Sequence, residues 1–483
     1  MATISVPSGQ IRNIRAAINA AANGDTIELT TGIYDITASG FFTSSPGSSP
    51  ATFARFGNKS LTFKGVSQGG SIVNGSPRIF TGQQDAASGV PTDINLQSMT
   101  LAYAGASGYI LQFGDKVYAA GADPCGNQYF NSVNVIRGVD IIDVAFTGTS
   151  AGGNGSAGTY MEISSGYTAA GSAPLNFNLA NSAVNLTGQA GFNPAIPSGG
   201  SSFLQAQGDG ISITKTNFNE NGFRNSLSIW NSSNVLIDSN FFSRPDYPFI
   251  RASGETIRNS SGVVSMNTFS NGAYLDLRDF CNDTLNIKGN TFDMTDVKNP
   301  AGLFGGSGPF GILLRDASAF SSLTFGSGIN ANSFLDGLVF KNTTATATSF
   351  TGEFDVFLTK ANVFEPFTKA IVGGTASDNL TGLATSGNDW ISGDLGNDTL
   401  TGGAGNDAFV FATTLNASTN VDTITDFGSG DQIWLDDSIF PLGLAGVTQN
   451  SVGGNLELSY GGTKFAVLQG TTTSLLPSSF AVF

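Results

Sequence analysis

The sequence predicts an all-β protein built as a solenoid of stacked coils, and three observations support this. Short strand-like segments punctuated by Gly, Asn, Ser and Asp recur along the chain. The composition is rich in Gly (63 residues) and Phe (38 residues), with only 12% charged residues. An Asn-x-Phe triplet also returns at steps of 27, 23, 42 and 30 residues: Asn240–Phe242, Asn267–Phe269, Asn290–Phe292, Asn332–Phe334 and Asn362–Phe364. Because stacked coils place like residues above like, we expect an asparagine ladder and a buried phenylalanine stack.

A single amphipathic helix is predicted over residues 10–22, ahead of the first coil. Its apolar positions share one face: Ile11, Ile14, Ile18 and Ala21. Gly24 provides a stop, and Ile27 and Leu29 then alternate with polar neighbours as in a half-buried strand. We expect the helix to cap the open end of the sheet.

The opening residues carry a family resemblance. "IRAAINAAANGDTIELTTGIYD", followed by "SLTFKGVSQGGSIVNG", resembles the start of right-handed parallel β-helix proteins of the pectin-lyase-like superfamily. The resemblance covers roughly residues 5–370 and implies that fold. It does not imply one function, because the superfamily includes lyases, hydrolases, epimerases, adhesins and structural proteins.

The negative charge is concentrated in the C-terminal part of the chain. Of the net charge of −15, residues 371–483 carry −10, from ten Asp and one Glu against Lys464. An acidic chain without basic patches is a poor nucleic-acid binder. Hard divalent cations, which prefer oxygen ligands, are the better partners.

Three aspartates within this region stand nine residues apart. They are Asp389, Asp398 and Asp407, and each is followed two residues later by an apolar side chain. "GGAGNDAFV" (402–410) fits the calcium-binding nonapeptide Gly-Gly-x-Gly-x-Asp-x-apolar-x completely. "GDLGNDTLT" (393–401) fits with Asp394 in place of the second glycine, and "GGTASDNLT" (373–381) has Ser377 where an Asn is usual.

The spacing predicts that Ca2+ lies between successive turns. Glycines let the backbone turn tightly and expose its carbonyls, while each aspartate supplies a carboxylate. The candidate ligands are Asp378, Gly387, Asp389, Gly393, Gly396, Asp398, Gly402, Gly403, Gly405 and Asp407. Without metal the stacked carboxylates repel, so we expect disorder until calcium binds. The alternative is a set of glycine-rich turns with solvating aspartates.

These repeats resemble the RTX (repeats-in-toxin) haemolysin-type family, and "NVDTITDFGSGDQIWLD" resembles the segment that ends its repeat blocks. The resemblance implies type I secretion through an uncleaved C-terminal signal, with which "SLLPSSFAVF" is compatible, and an extracellular or cell-surface location. "MATISVPSGQIRNIR" has no apolar core of a cleavable signal peptide, and no apolar run is long enough to span a membrane. The expected domains are a cap (1–30), a parallel β-helix (31–370), a calcium β-roll (371–415) and a C-terminal β region (416–483).

An enzyme on this scaffold is the main alternative. β-Helix epimerases carry an Asp-Pro-His triplet and β-helix hydrolases a Gly-His-Gly, and neither transfers to a chain without histidine. Lyase chemistry needs an Arg or Lys base with carboxylates, and the best cluster is "YLDLRDFCND" (274–283). If the chain is a lyase, the candidates are Arg278, Asp276, Asp279 and Asp209. These residues are also ordinary as outer-face ion pairs or turn residues.

The low charge and the lack of a recognisable catalytic constellation favour a calcium-binding structural protein that self-assembles outside the cell, with copies of itself as partners. The alternatives are a polysaccharide lyase, with an extracellular polysaccharide as partner, and an adhesin or glycan-binding module. Cys125 and Cys281 are expected either as two buried thiols or as one long-range disulfide.

Overall fold

The computed structural model describes the C-terminal part of the chain continuously and the remainder in segments. The described residues are 1–9, 11–35, 52–55, 59–74, 78–80, 92–104, 111–113, 117–122, 128–131, 136–149, 161–164, 167–168, 171–172, 174–187, 202–219, 225–243, 253–258, 260–278, 284–295, 310–315, 322–343, 347–360 and 363–483.

The predicted N-terminal helix is present and spans Ile11–Ala20. It contacts the parallel strand pair Thr3–Val6 and Thr26–Leu29. Its buried side chains, each at most 4% exposed, are Ile14, Ala17 and Ile18. The alternation predicted for the next strand is confirmed, because Ile27 and Leu29 are buried.

Lys59 provides the end of this helix with a cap. Its Nζ donates to the carbonyl oxygens of Ile18 (3.2 Å), Asn19 (3.3 Å) and Ala21 (2.7 Å). The last carbonyls of a helix have no partner within the helix and carry partial negative charge. The ammonium group therefore satisfies the carbonyls that become free where the helix stops, ahead of the predicted stop at Gly24.

The first of two compact units comprises Met1–Pro248, Glu255–Asn267 and Cys281–Asp283. Equivalent buried residues pair in parallel from coil to coil, as in the series Val139, Phe177, Ile211 and Val235. Its strands are Thr3–Val6, Thr26–Leu29, Gly32–Asp35, Thr52–Arg55, Leu61–Lys64, Ser71–Asn74, Arg78–Phe80, Thr92–Ala104, Leu111–Phe113, Val117–Ala122, Gln128–Asn131, Ile136–Thr149, Met161–Ser164, Tyr167–Thr168, Gly171–Ser172, Pro174–Ala180, Ala183–Thr187, Ser202–Gln207, Asp209–Thr214, Asn217–Asn219, Asn225–Trp230, Ser233–Asp238, Phe241–Ser243 and Ser261–Ser265. Strand Ser253–Arg258 has residues in both units.

The second unit comprises Phe249–Gly254, Thr268–Phe280 and Thr284–Phe483. It also stacks parallel coils, with Phe269, Phe292 and Phe334 in one row. Its strands before the roll are Thr268–Ser270, Ala273–Arg278, Thr284–Lys288, Thr291–Asp293, Phe310–Arg315, Ser322–Phe325, Asn332–Leu335, Leu338–Asn342 and Thr348–Leu358, and its 3-10 helices are Gly328–Asn330, Gly443–Gly446 and Pro477–Ser479. Each unit is thus built from parallel β-helix coils, as predicted. The expected domain boundaries at residues 30, 370 and 415 stay predictions.

The asparagine ladder is confirmed within each unit. Asn240 Nδ2 donates to Asn267 Oδ1 at 3.0 Å, and Asn290 Nδ2 donates to Asn332 Oδ1 at 3.0 Å. All four side chains are at most 2% exposed. A buried amide must be hydrogen-bonded, so the ladder satisfies polar groups at the same point of successive coils.

The phenylalanine stack is confirmed at four of the five triplets, where Phe242, Phe269, Phe292 and Phe334 are buried. Rings of neighbouring coils lie nearly parallel, as in Phe292 and Phe334, with centroids 4.9 Å apart. The fifth assignment is wrong, because Phe364 is 59% exposed. Its strand runs antiparallel to the previous one and pairs Phe364 with Phe357, both on the face opposite the core residues Val356 and Leu358.

Other expectations concern residues that the structure does not describe. Cys125, Cys281 and Asn362 lie outside the described residues. Within the described part of the chain, no helix combines the length and apolar character needed to cross a bilayer.

Candidate metal centre

The acidic repeats fold into a β-roll of two facing parallel sheets within the second unit. The first roll sheet contains Val363–Val372, Asp389–Ser392, Ala408–Phe411, Gln432–Leu435 and Phe480–Val482. The second roll sheet contains Asn379–Thr381, Thr399–Thr401, Asp422–Ile424 and Thr463–Leu468, extended by the antiparallel strands Asn455–Tyr460 and Val447–Val452. The chain alternates between the two sheets, and each crossing from Val372 to Ala408 passes through a glycine-rich turn.

The apolar residue two positions after each aspartate points into the roll, as predicted. Ile391, Leu400 and Phe409 are each 0% exposed and belong to one core cluster. The strand pairings place Ile391 beside Phe409 in the first roll sheet and Leu380 beside Leu400 in the second. Burial of these side chains is the metal-independent part of the driving force for folding the roll.

Alternate turns stack into two columns, each closed by aspartates. In the first turn column, Asp378 N–H donates to Asp398 Oδ1 (2.7 Å) and Asp398 N–H donates to Asp422 Oδ1 (3.1 Å). The aspartates thus form a ladder along one side of the roll, in which one carboxylate oxygen of each accepts from the turn before.

The second turn column repeats this arrangement on the opposite side. Asp389 N–H donates to Asp407 Oδ1 and Asp407 N–H donates to Asp431 Oδ1, both at 2.9 Å. In both columns the ladder uses one carboxylate oxygen. The other oxygen is left to point into the turn.

Two of the ladder aspartates have a buried oxygen without a hydrogen-bond partner. In Asp398 it is Oδ2, which points into the turn, and in Asp389 it is Oδ1, since Oδ2 accepts from Leu383 N–H. A Cβ on Gly393 would lie 2.5 Å from Asp398 Oδ2 and 2.8 Å from Asp422 Oδ2, so the two carboxylates converge beside that glycine. A buried carboxylate oxygen without a hydrogen-bond partner lowers the free energy of unfolding. A cation in the turn would remove this cost, and the residues therefore fit calcium.

Burial also makes the aspartates difficult to ionise in the absence of a cation. It raises the pKa of Asp398 to about 6, with the charge of Asp378 adding to the effect, and the pKa of Asp407 to about 6. Burial, reinforced by the charge of Asp398, raises the pKa of Asp422 well above its usual range. A bound divalent cation would compensate this clustered charge.

The remaining predicted ligands divide between the two columns. Gly393 and Gly396 belong to the first, with Asp378 and Asp398; Gly396 has φ +136° and donates its N–H to Asn420 Oδ1 (3.2 Å). The second contains Gly387, Gly402, Gly403, Gly405, Asp389 and Asp407. Gly403 and Gly405 have φ +94° and +157°. A Cβ on Gly382 would collide with Gly402 O and Asp389 Oδ2, so a carbonyl and a carboxylate meet there.

Sequence reasoning missed Asp422, Asp426 and Asp431. Asp422 and Asp431 close the last turn of each column, while Asp426 accepts from Gly402 N–H (2.9 Å) and Gly403 N–H (2.8 Å). The pattern that would have found them is present, because Asp422 and Asp431 are nine residues apart and each precedes an isoleucine by two. The longer connection after Phe411 interrupts the nine-residue register and hides it.

A calcium ion in these turns would need main-chain oxygens among its ligands. Across the described residues, no three Asp, Glu, His or Cys side chains gather into a metal-binding group. Ions in the turns would therefore be held by one or two carboxylates and by turn carbonyls, all of which are hard oxygen donors suited to calcium. Which of the predicted residues bind the ion stays a prediction.

The lyase candidates lie elsewhere in the chain. Asp276, expected on an open outer face, is 1% exposed between the buried Leu275 and Leu277, so it does not face solvent. Asp209 Oδ1 accepts from Ser233 Oγ and Asn234 Nδ2, both at 2.6 Å, and belongs to the first unit whereas Asp276 belongs to the second. The side chains of Arg278 and Asp279 lie outside the described residues.

Comparisons with known proteins add one informative finding. No curated protein sequence matches the chain. Solved structures that match include the PL6 family alginate lyase AlyGC (11% identity, 90% of this chain and 71% of that one, TM-score 0.31) and a PL6 alginate lyase in complex with a trisaccharide (11% identity, 100% and 96%, TM-score 0.35). At these scores the similarity says nothing about activity. Residues 383–411 match the family model of the RTX calcium-binding nonapeptide repeat (4 copies), so the chain carries RTX calcium-binding repeats.

Proposed function

We propose that this chain is an extracellular structural protein whose C-terminal β-roll folds on binding calcium, and whose folded form associates with copies of itself. The observation that supports the calcium step best is the pair of aspartate ladders with buried, unpartnered oxygens at Asp398 and Asp389. Unpaired buried charge opposes folding and a bound cation relieves it. In this proposal the β-helix coils belong to the pectin-lyase-like class.

The location follows from where calcium is available. Export by type I secretion would take place with the roll unfolded, because cytoplasmic calcium is too scarce to fill sites of moderate affinity. Calcium outside the cell would then fold the roll after export. The secretion machinery is therefore a transient partner of the chain. The calcium requirement of the roll delays its folding until after export.

Self-association is the step that the folded roll would permit. Residues 371–483 carry a net charge of −10, and repulsion between such regions keeps copies apart. Bound calcium lowers that repulsion while it orders the roll. The outermost strand of the second roll sheet, Val447–Val452, is mostly exposed and provides a strand edge for pairing.

Sedimentation at matched ionic strength tests the proposal, in calcium, in magnesium and in chelator. We expect large species in calcium alone. A monomer under all three conditions contradicts self-association. The same samples, incubated with acidic polysaccharides, are assayed for the ultraviolet absorbance of unsaturated uronates. We expect none, and its appearance would move the lyase alternative ahead of the structural one.

A further inference from the structure

Two lysines, one on a strand before the roll and one on its first strand, reach early turns of the roll. Lys341, on strand Leu338–Asn342, places Nζ 2.5 Å from Asp394 Oδ1. The two side chains are only 13% and 3% exposed. Charges that are shielded from water interact strongly, so this ion pair ties the strand to the first turn column.

Asp394 is the residue that departs from the nonapeptide pattern. It stands where the second glycine is usual, and its φ of +65° is in the left-handed region that favours glycine. Aspartate tolerates this conformation better than most residues. The substitution therefore preserves the backbone of the turn and adds a carboxylate for Lys341.

A neighbouring side chain acts on the same column. Asn342 is 0% exposed and its Nδ2 donates to the carbonyl oxygen of Gly373, at 3.1 Å. Gly373 begins the first turn of the column. A carbonyl of the type that would otherwise face a cation is thus bound by a protein N–H group.

The second turn column has its own lysine. Lys369 Nζ donates to Thr381 O at 2.8 Å, at the start of the turn that ends in Asp389. Lys369 and Asp389 are also paired residues of adjacent strands. The ammonium therefore stabilises a main-chain carbonyl at the start of this turn.

Within the described part of the chain, no lysine makes such a contact with the later turns. Beyond Val372 the sequence contains one basic residue, Lys464, and its Nζ is 3.1 Å from Glu457 Oε1. Among the residues that the structure describes, lysine side chains therefore contact only the first turn or two of each column, and the remaining turns depend on ions from solution.

We propose that Lys341 and Lys369 are positioning residues that take the place of calcium at the start of the two turn columns. The first turns are then held in shape without calcium, and they template the calcium-dependent turns that follow. This inference rests on the proposed calcium-dependent folding, and it adds that folding of the roll begins at its first turns.

Hydrogen exchange of the full chain, followed by mass spectrometry, tests this. In chelator we expect peptides within 373–398 to exchange at least ten-fold more slowly than peptides within 399–431. Lys369→Met should accelerate exchange in 382–392 at least ten-fold. Lys341→Met alone would leave the buried Asp394 without its ion-pair partner, so it is combined with Asp394→Gly, which restores the repeat pattern. This double variant should accelerate exchange in 393–398, the turn that contains position 394.

Lys360→Met is the matched control, because Lys360 pairs with the partly exposed Asp437 outside both columns and its loss should leave 373–392 unchanged. Uniform exchange across 373–431 in chelator overturns the inference, as does unchanged exchange in both lysine variants. Calcium should slow exchange in 399–431 in every variant. If calcium slows exchange nowhere, the proposed function itself fails; if it slows 399–431 but the first turns are no better protected in chelator, only this inference fails.

Discussion

The main-chain N–H of Asp389 donates to Oδ1 of Asp407, 2.9 Å away and 18 residues later. This bond joins two turns on the same side of the roll. Oδ2 of Asp407 lies beside Gly402, where a Cβ would collide with it. The nine-residue repeat thus becomes an eighteen-residue coil, because successive repeats fall on opposite sides.

Removing a ladder carboxylate should weaken calcium binding. Asp398→Asn keeps the size of the side chain but removes the charge that faces Gly393, so we expect affinity to fall at least ten-fold, or about 1.4 kcal/mol. Calorimetric titration of the full chain measures it. Asp437→Asn, outside the columns, is the control and should bind as the parent does; equal affinity in both variants would remove Asp398 from the ligand set.

The calcium-free roll should be more stable in mild acid than at neutral pH. The folded-state pKa values of Asp398 and Asp407 are raised to about 6, above the value near 3.9 of an unfolded chain. Stability from these groups is fully present below about pH 4 and is lost as the pH rises through about 6. Circular dichroism in chelator at pH 5 and at pH 7.5 measures the difference, and the strand signal of the roll should be greater at pH 5.

With calcium present the pH dependence should reverse. Protons and calcium compete for the same carboxylates, so affinity should fall as the pH drops below about 6. A calcium affinity that stays constant from pH 7.5 to pH 5 would show that these aspartates do not bind the ion.

Truncating the roll core should destabilise the roll specifically. Phe409→Ala removes a ring that is 0% exposed. It should lower the free energy of unfolding of the roll by about 3–5 kcal/mol. The calcium concentration needed for folding should rise accordingly, as measured by circular dichroism. Leu395→Ala, at a position 39% exposed, is the control and should cost less than about 0.5 kcal/mol.

Lys59 should stabilise the N-terminal helix through its carbonyl contacts. Lys59→Met keeps the length of the side chain but loses three hydrogen bonds and the charge at the helix end. We expect a loss of about 0.5–1 kcal/mol, measured by urea unfolding. Lys64→Met, at an exposed strand position, should be neutral, and equal effects of both variants would argue against the cap.

Much of the architecture could be predicted because it depends on local periodicity. The Asn-x-Phe steps predicted the ladder of Asn240 and Asn267, and the nine-residue spacing predicted that Ile391 and Phe409 would be buried. Phe364 was mispredicted because the triplet does not reveal that its strand reverses direction.

The contacts that could not be predicted join distant parts of the chain. Lys341 and Asp394 are 53 residues apart, and no local sequence pattern predicts their pairing. Asp422 was missed for a different reason, since the longer connection before it breaks the register of the repeats.

Circular dichroism with limited proteolysis of the full chain, in calcium and in chelator, tests the central claim most directly. The account predicts that chelation removes strand signal and opens residues 399–435 to cleavage, while the β-helix coils resist because their core is apolar. Calcium, but not magnesium, should restore protection. Identical spectra and identical cleavage patterns with calcium and with chelator would contradict the claim that the roll folds on binding calcium.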